Sequence, residues 1–186
     1  IGEWFMGGEI YLPGAHLTAW QPRGTAPVIW MSGSSQFEPG RPIRGGIPIC
    51  FPWFGPHPSN PGAPPHGFAR LAPWTLDRVD RGADDAVTVT LSLRNAAGHD
   101  DLWPHRCVLT YTARFGRELA LELAVHNVDA IACPVQEALH TYLAVGDIRQ
   151  VAIEGLAGAT YVDKLRGGER CVQDAAPIRF TGETDR

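Results

Sequence analysis

Three segments alternate apolar and polar side chains with a period of two, and no other feature constrains the fold of this 186-residue chain as strongly. Val87, Val89, Leu91 and Leu93 alternate with Thr88, Thr90 and Ser92. Cys107, Leu109, Tyr111 and Ala113 repeat the period, and Leu119, Leu121, Leu123 and Val125 repeat it again beside Glu118, Glu122 and His126. Successive side chains of a strand point to opposite faces, so each segment has one face to bury. Turn-forming residues at 81–85 (RGADD), 95–98 (NAAG) and 115–117 (FGR) sit between the runs, as antiparallel hairpins of a sandwich or barrel require. Further strands are expected at 8–12, 16–20, 28–31, 74–78, 138–144 and 150–154, and no window has the pattern of a long amphipathic helix. The length suits one domain, so residues 1–186 are expected to form a single all-β unit without repeats or linkers.

A second feature does not fit a plain sheet. Residues 41–74, RPIRGGIPICFPWFGPHPSNPGAPPHGFARLAPW, crowd glycine, proline, aromatic, histidine and arginine residues together. Prolines fix φ and remove donors, while glycines let the backbone approach another group closely. A long loop of this kind within a β protein, at 52–65, is usually functional or disordered, and its aromatic content favours function. Phe51, Trp53 and Phe54 offer flat apolar faces beside His66 and the guanidinium groups of Arg44 and Arg70. That mixture suits a polar, ring-shaped ligand with negative charge. The aromatic side chains are divided between core packing and pocket lining.

The remaining composition narrows the choices. With 44% apolar residues, 19% charged residues and a formal net charge of −4, the chain has no general attraction to nucleic acid or anionic membranes. An anionic ligand must be held by local arginines. No apolar run has the length of a membrane span, and the first ten residues lack the pattern of a secretion signal, so the expected location is cytoplasmic. Cys50, Cys107, Cys133 and Cys171 contain no CxxC pair and read as free thiols packed like small hydrophobes. No closely spaced histidine cluster with a carboxylate is present, which argues against a metal enzyme on a cupin-like scaffold.

The runs GAHLTAWQP (14–22), RGGIPICFPWFG (44–55), HGFAR (66–70), LHTYLAVGDI (139–148) and TGETDR (181–186) together resemble the glucose-6-phosphate 1-epimerase branch of the aldose 1-epimerase, or galactose mutarotase-like, superfamily. The resemblance spans nearly the whole chain in the family's order. It implies an antiparallel β-supersandwich and an isomerase that interconverts the α and β anomers of a hexose 6-phosphate without a cofactor or metal. A base removes the proton of the anomeric hydroxyl while an acid protonates the ring oxygen; the ring opens, the aldehyde end rotates and the ring closes on its other face. Imidazole suits the acid role because its ordinary pKa lies near ~6.5.

By the same resemblance His140 is the acid and His66 contacts and orients the sugar, while Arg44 and Arg70 recognise the phosphate and Asp185 bonds sugar hydroxyls. Gly45 and Gly46 bring backbone close to the ligand, and Phe51 and Trp53 contribute to the binding surface. Residue pattern alone leaves other roles open: His140 bonded within the sheet, His66 tethering its loop, and each arginine paired with a surface carboxylate. Asp147 reads as the cap of a turn. His16, His99, His105 and His126 have no supporting context and read as structural or exposed.

The family's general base is a glutamate beyond the TGETDR run, and no position of this chain matches it. The chain also begins at Ile1 rather than methionine, so it reads as truncated, above all at the C-terminus. An incomplete sandwich would leave strand edges and apolar surface unpaired. The full-length protein is expected to be a monomer. A non-catalytic sugar-phosphate binding module that lacks the base is the alternative function.

Overall fold

The structure is a computed structural model, and it describes residues 7–94 and 101–185. The turn expected at 95–98 and His99 lie outside the described residues. The chain divides into two compact units, residues 1–144 and 145–186.

The first unit is built on the alternating runs. Strands β4 (Thr75–Arg81), β5 (Val87–Arg94), β6 (Cys107–Phe115) and β7 (Leu119–Asn127) form a four-stranded antiparallel sheet in sequence order. The registers Leu91↔Tyr111 and Tyr111↔Leu123 align the apolar positions of neighbouring strands on one face. Every second residue of β6, from Cys107 through Leu109, Tyr111 and Ala113 to Phe115, is buried. The β4–β5 turn closes through Gly82 N–H donating to the Ala86 carbonyl at 2.8 Å, with Asp85 at φ 62°.

Two smaller strand pairs belong to the same unit. β1 (Gly7–Tyr11) pairs with β2 (His16–Gln21), and β3 (Ile49–Cys50) pairs with β8 (Ala138–Leu139). A Cβ on Gly8 would run into the Phe115 ring, so glycine permits β1 to lie against the end of β6. The core joins the sheet face to Leu17, Ile47, Ile49, Phe51, Phe68, Trp74 and Trp103. Phe51 meets Trp103 edge-on at 5.5 Å and Phe68 edge-on at 6.5 Å. Burying a side chain of that size contributes roughly 1.5–3 kcal/mol.

Segments 28–31 and 138–144 are less regular than their composition predicts. Ile29 bridges to Leu143 and Met31 bridges to Gly45, so the two residues have different partners and no continuous ladder forms. On the other side, β8 ends at Leu139. His140 N–H then donates to the Pro48 carbonyl and Tyr142 N–H to the Gly46 carbonyl. Pro48 supplies no donor in return and Gly45–Gly46 turn through positive φ, so regular pairing stops there.

The second unit consists of two short antiparallel pairs, β9 (Ala152–Ile153) with β12 (Ile178–Arg179) and β10 (Thr160–Asp163) with β11 (Glu169–Val172). Where a strand was expected at 150–154, a 3₁₀ turn at Ile148–Gln150 comes first. The Asp147 carboxylate caps it by accepting from Arg149 N–H at 3.0 Å. Among the described residues of this unit only Gln173 is buried.

Candidate active site

Two short stretches carry opposite faces, and their inward sides dictate where their outward sides go. In 66–70, Gly67, Phe68 and Ala69 are buried and clamped against Phe51: Phe68 N–H donates to the Phe51 carbonyl at 3.0 Å, and a Cβ on Gly67 would collide with that carbonyl. His66 and Arg70, at either end, are thereby turned out into a cavity of about 360 Å³. His66 itself adopts φ 64°, in the left-handed region, with its N–H donating to the Gly55 carbonyl at 2.7 Å. In 42–50, Gly45 to Cys50 are buried while the Arg44 side chain is exposed at the same cavity.

His140 and Tyr142 enter from the irregular stretch after β8. The two imidazole centroids are 6.1 Å apart, and Phe54 packs edge-on against His66 at 4.8 Å and parallel to His140 at 6.0 Å. Tyr142 lies 5.0 Å from His140 and 6.0 Å from Trp30. The aromatic rings limit the freedom of both histidines. Gly55 N–H donates to His66 Nδ1 at 3.2 Å, so the neutral ring carries its proton on Nε2.

The charges in this cavity are one-sided. Its lining contains Arg44 and Arg70 and no carboxylate, and neither arginine has an ion pair among the described residues. Arg70 donates from a terminal nitrogen to the Pro65 carbonyl at 2.7 Å, whereas its buried Nε has no hydrogen-bond partner among the described residues. Burial holds the Arg70 guanidinium below the usual arginine range, and Arg44 lowers it further, while the neighbouring Cys50 and Tyr142 act in the opposite sense. Burial also raises the Cys50 thiol. Two guanidinium groups close enough to repel, one with a buried donor that has no partner among the described residues, are chemically suited to an anion.

Phe51, Trp53 and Gly45, expected from the sequence at the site, are placed elsewhere. Phe51 and Trp53 are 0% and 5% exposed and belong to the core, where Trp53 Nε1 donates to the Pro64 carbonyl at 3.1 Å and pins the proline-rich loop. The aromatic faces beside the cavity belong to Phe54 and Tyr142 instead. Gly45 does not line the cavity; at φ +93° it lies flat on Trp30–Ser32, and a Cβ would sit 2.6 Å from the Trp30 carbonyl oxygen. Asp185 lies in the second unit and binds Lys164 Nζ at 2.9 Å.

Two histidines carry more structure than their sequence context suggests. His16 is 1% exposed and its Nε2–H donates to the Gly45 carbonyl at 2.8 Å. Burial lowers its pKa to about 4; the bond to Gly45 opposes that shift and the nearby Arg70 charge adds to it. His57 ties the proline-rich loop to 101–106 through Nε2–H and the Leu102 carbonyl at 3.0 Å, while its Nδ1 accepts from Ser59 and Asn60 N–H. Both partnerships span long sequence separations, so no local signal marks them.

With this geometry in place, comparison with known proteins is decisive about kinship. The aldose 1-epimerase family model matches residues 5–186. The chain belongs to the aldose 1-epimerase family. A protein of Escherichia coli (strain K12) that carries the provisional name glucose-6-phosphate 1-epimerase is 39% identical over 94% of this chain and 57% of its own length. Its Salmonella typhimurium counterpart, with the same provisional name, is 38% identical over the same shares. The crystal structure of YeaD from Salmonella typhimurium, provisionally described as a mutarotase, superposes with a TM-score of 0.86 at 35% identity, over 95% of this chain and 58% of that one. The chain thus has the galactose mutarotase-like β fold of this family and spans a little over half the length of these relatives. No helix among the described residues is long and apolar enough to cross a membrane.

Proposed function

We propose that this chain carries the phosphate grip and the acid of a hexose-6-phosphate 1-epimerase. The carrying observation is the cavity in which Arg44 and Arg70, unpaired with any carboxylate among the described residues, share a wall with His66 and His140. The phosphate of glucose 6-phosphate or a related sugar accepts from both guanidinium forks, including the buried Arg70 Nε–H. The sugar ring then lies against the Phe54 and Tyr142 rings, between the imidazoles.

His140 donates its proton to the ring oxygen as the C1–O bond opens and recovers it when the ring closes on the other face, an acid–base contribution of roughly 10²–10⁴ in rate. His66, with its proton on Nε2, donates to a sugar oxygen and fixes the ring's orientation. The family resemblance assigns the base that removes the anomeric proton to a glutamate C-terminal to the TGETDR run. Four free cysteines suit a reducing, cytoplasmic setting for such a monomeric enzyme.

The carboxylate-free lining also favours a second reading, a sugar-phosphate binding module without turnover. Anomer exchange of glucose 6-phosphate, followed by magnetisation-transfer NMR on this chain and on a C-terminally extended form, separates the two. Exchange in the longer form that falls by about 10² or more in His140→Asn supports the epimerase. Binding of the sugar phosphate without exchange in either form supports the module, and absence of binding in both overturns the assignment.

A further inference from the structure

We propose that His16, behind the cavity rather than in it, is a positioning residue for phosphate recognition, whose Nε2–H holds the Gly45 carbonyl and so sets the direction in which Arg44 is presented. This inference rests on the phosphate reading of the cavity and concerns a residue that touches no substrate.

The strap 44–46 is fixed at its outer edges by backbone and one hydroxyl. Arg44 N–H donates to Ser35 Oγ at 2.9 Å, and the Arg44 carbonyl accepts from Ser32 N–H at 3.1 Å. Gly46 N–H donates to the Trp30 carbonyl at 2.8 Å, and the Gly46 carbonyl accepts from Tyr142 N–H at 2.9 Å. In the middle, the buried Gly45 carbonyl takes its hydrogen from His16 across 29 residues of sequence, at 2.8 Å. Gly45 and Gly46 adopt φ +93° and +69°, and glycine passes between positive and negative φ more easily than any other residue. The peptide between them is therefore the softest link of the strap. A buried carbonyl that loses its donor is driven to turn towards another, and the rotation is passed to the Cα of Arg44 next door.

The fit of the imidazole supports the same role. A Cβ on Gly46 would collide with His16 Nε2, so the strap passes directly over the ring edge that donates the bond. His16 opens β2, and the next residue, Leu17, bridges to Ile47 and accepts from its N–H at 2.9 Å. Its backbone is thereby locked to the segment its side chain supports.

The test uses His16→Leu, His16→Gln and His16→Asn in the full-length protein, with binding of glucose 6-phosphate and of unphosphorylated glucose measured by calorimetric or NMR titration. Gln places an amide N–H near the position of Nε2, and Asn places one near Nδ1. The expected result is that Leu and Asn weaken glucose 6-phosphate binding about tenfold, about 1.4 kcal/mol, with glucose binding unchanged, and that Gln restores it to within about threefold. Equal loss for both ligands, or Asn performing as well as Gln, overturns the inference; so does undiminished phosphate affinity in the Leu variant. If the Leu variant does not fold, the Gln–Asn pair decides on the same criteria. A wild type that binds no glucose 6-phosphate overturns the phosphate reading itself and this inference with it, an outcome distinct from normal wild-type binding with no difference between Gln and Asn.

Discussion

The sheet β4–β7 and the cavity wall formed by 44–50, 66–70 and 138–142 are both rigid, by different means. In the sheet, the inner strands β5 and β6 have ladder partners on both sides, and side chains need only alternate and fill space; the uninterrupted register of β6 against β5 and β7 shows how little local specification is required. In the wall, ladders shrink to two residues or to single bridges, and the backbone is held by positive-φ glycines, by left-handed His66 and by side chains such as His16 that bond main-chain groups. A regular sheet points every second side chain the same way, at a fixed spacing. An irregular wall can aim His66, Arg70, Arg44 and His140 at one point, and it depends on specific backbone contacts rather than on volume.

That contrast is sharpest in paired substitutions. Gly67→Ala places a methyl group against the Phe51 carbonyl at φ +73°, with backbone on both sides and nothing flexible to yield. The expected cost is more than about 4 kcal/mol, or failure to accumulate folded protein, read from denaturant unfolding. Leu109→Ala in the centre of β6 creates a cavity in the 1% exposed core position and should cost roughly 2–5 kcal/mol, with ligand affinity unchanged. A Gly67→Ala protein of normal stability would break the distinction between backbone-limited wall and volume-limited sheet.

Acid probes the wall through His16. The unfolded chain protonates His16 near its ordinary 6.5, the folded chain only near 4, so the unfolded state holds more protons between those values. The stability tied to neutral His16 is complete above pH 6.5 and is lost as pH falls towards 4, by roughly 3 kcal/mol at most. Denaturant midpoints across that window, compared with those of His16→Gln, should show the variant losing less. Parallel curves would remove His16 from the account.

The smallest effect on folding is expected at the ligand-facing side of the wall. Arg70→Met removes a half-buried guanidinium whose Nε has no partner among the described residues and whose neighbour repels it, so unfolding should shift by less than about 1 kcal/mol, in either direction. Binding of inorganic phosphate or glucose 6-phosphate should nevertheless weaken by about tenfold to a hundredfold. A variant that loses stability instead, with affinity retained, would move Arg70 from the ligand site to the scaffold.

Much of the scaffold was legible in advance because period-two alternation is a local signal: all four strands of the large sheet lie where Val87–Leu93, Cys107–Ala113, Leu119–Val125 and the run from Trp74 predict them. Within the wall, the motifs HGFAR and RGGIPICFPWFG identify the segments that converge, but composition does not say which side of an irregular backbone faces in. Phe51, Trp53 and Phe54 share one proline-rich setting, and only their packing divides two core residues from the one beside the imidazoles.

By itself, then, the sequence determined an antiparallel β protein, the positions of the strands in its large sheet and the stretches that surround the cavity, since these follow from alternation, turn residues and motif order along a few neighbouring positions. Tertiary structure alone decided that Phe54 and Tyr142 rather than Phe51 and Trp53 flank the histidines, that Gly45 serves its own backbone, and that His16 supports the Arg44 strap. Those outcomes depend on contacts between segments that the fold brings together, such as His16 and Gly45, 29 positions apart, and such contacts leave no periodic trace in the chain.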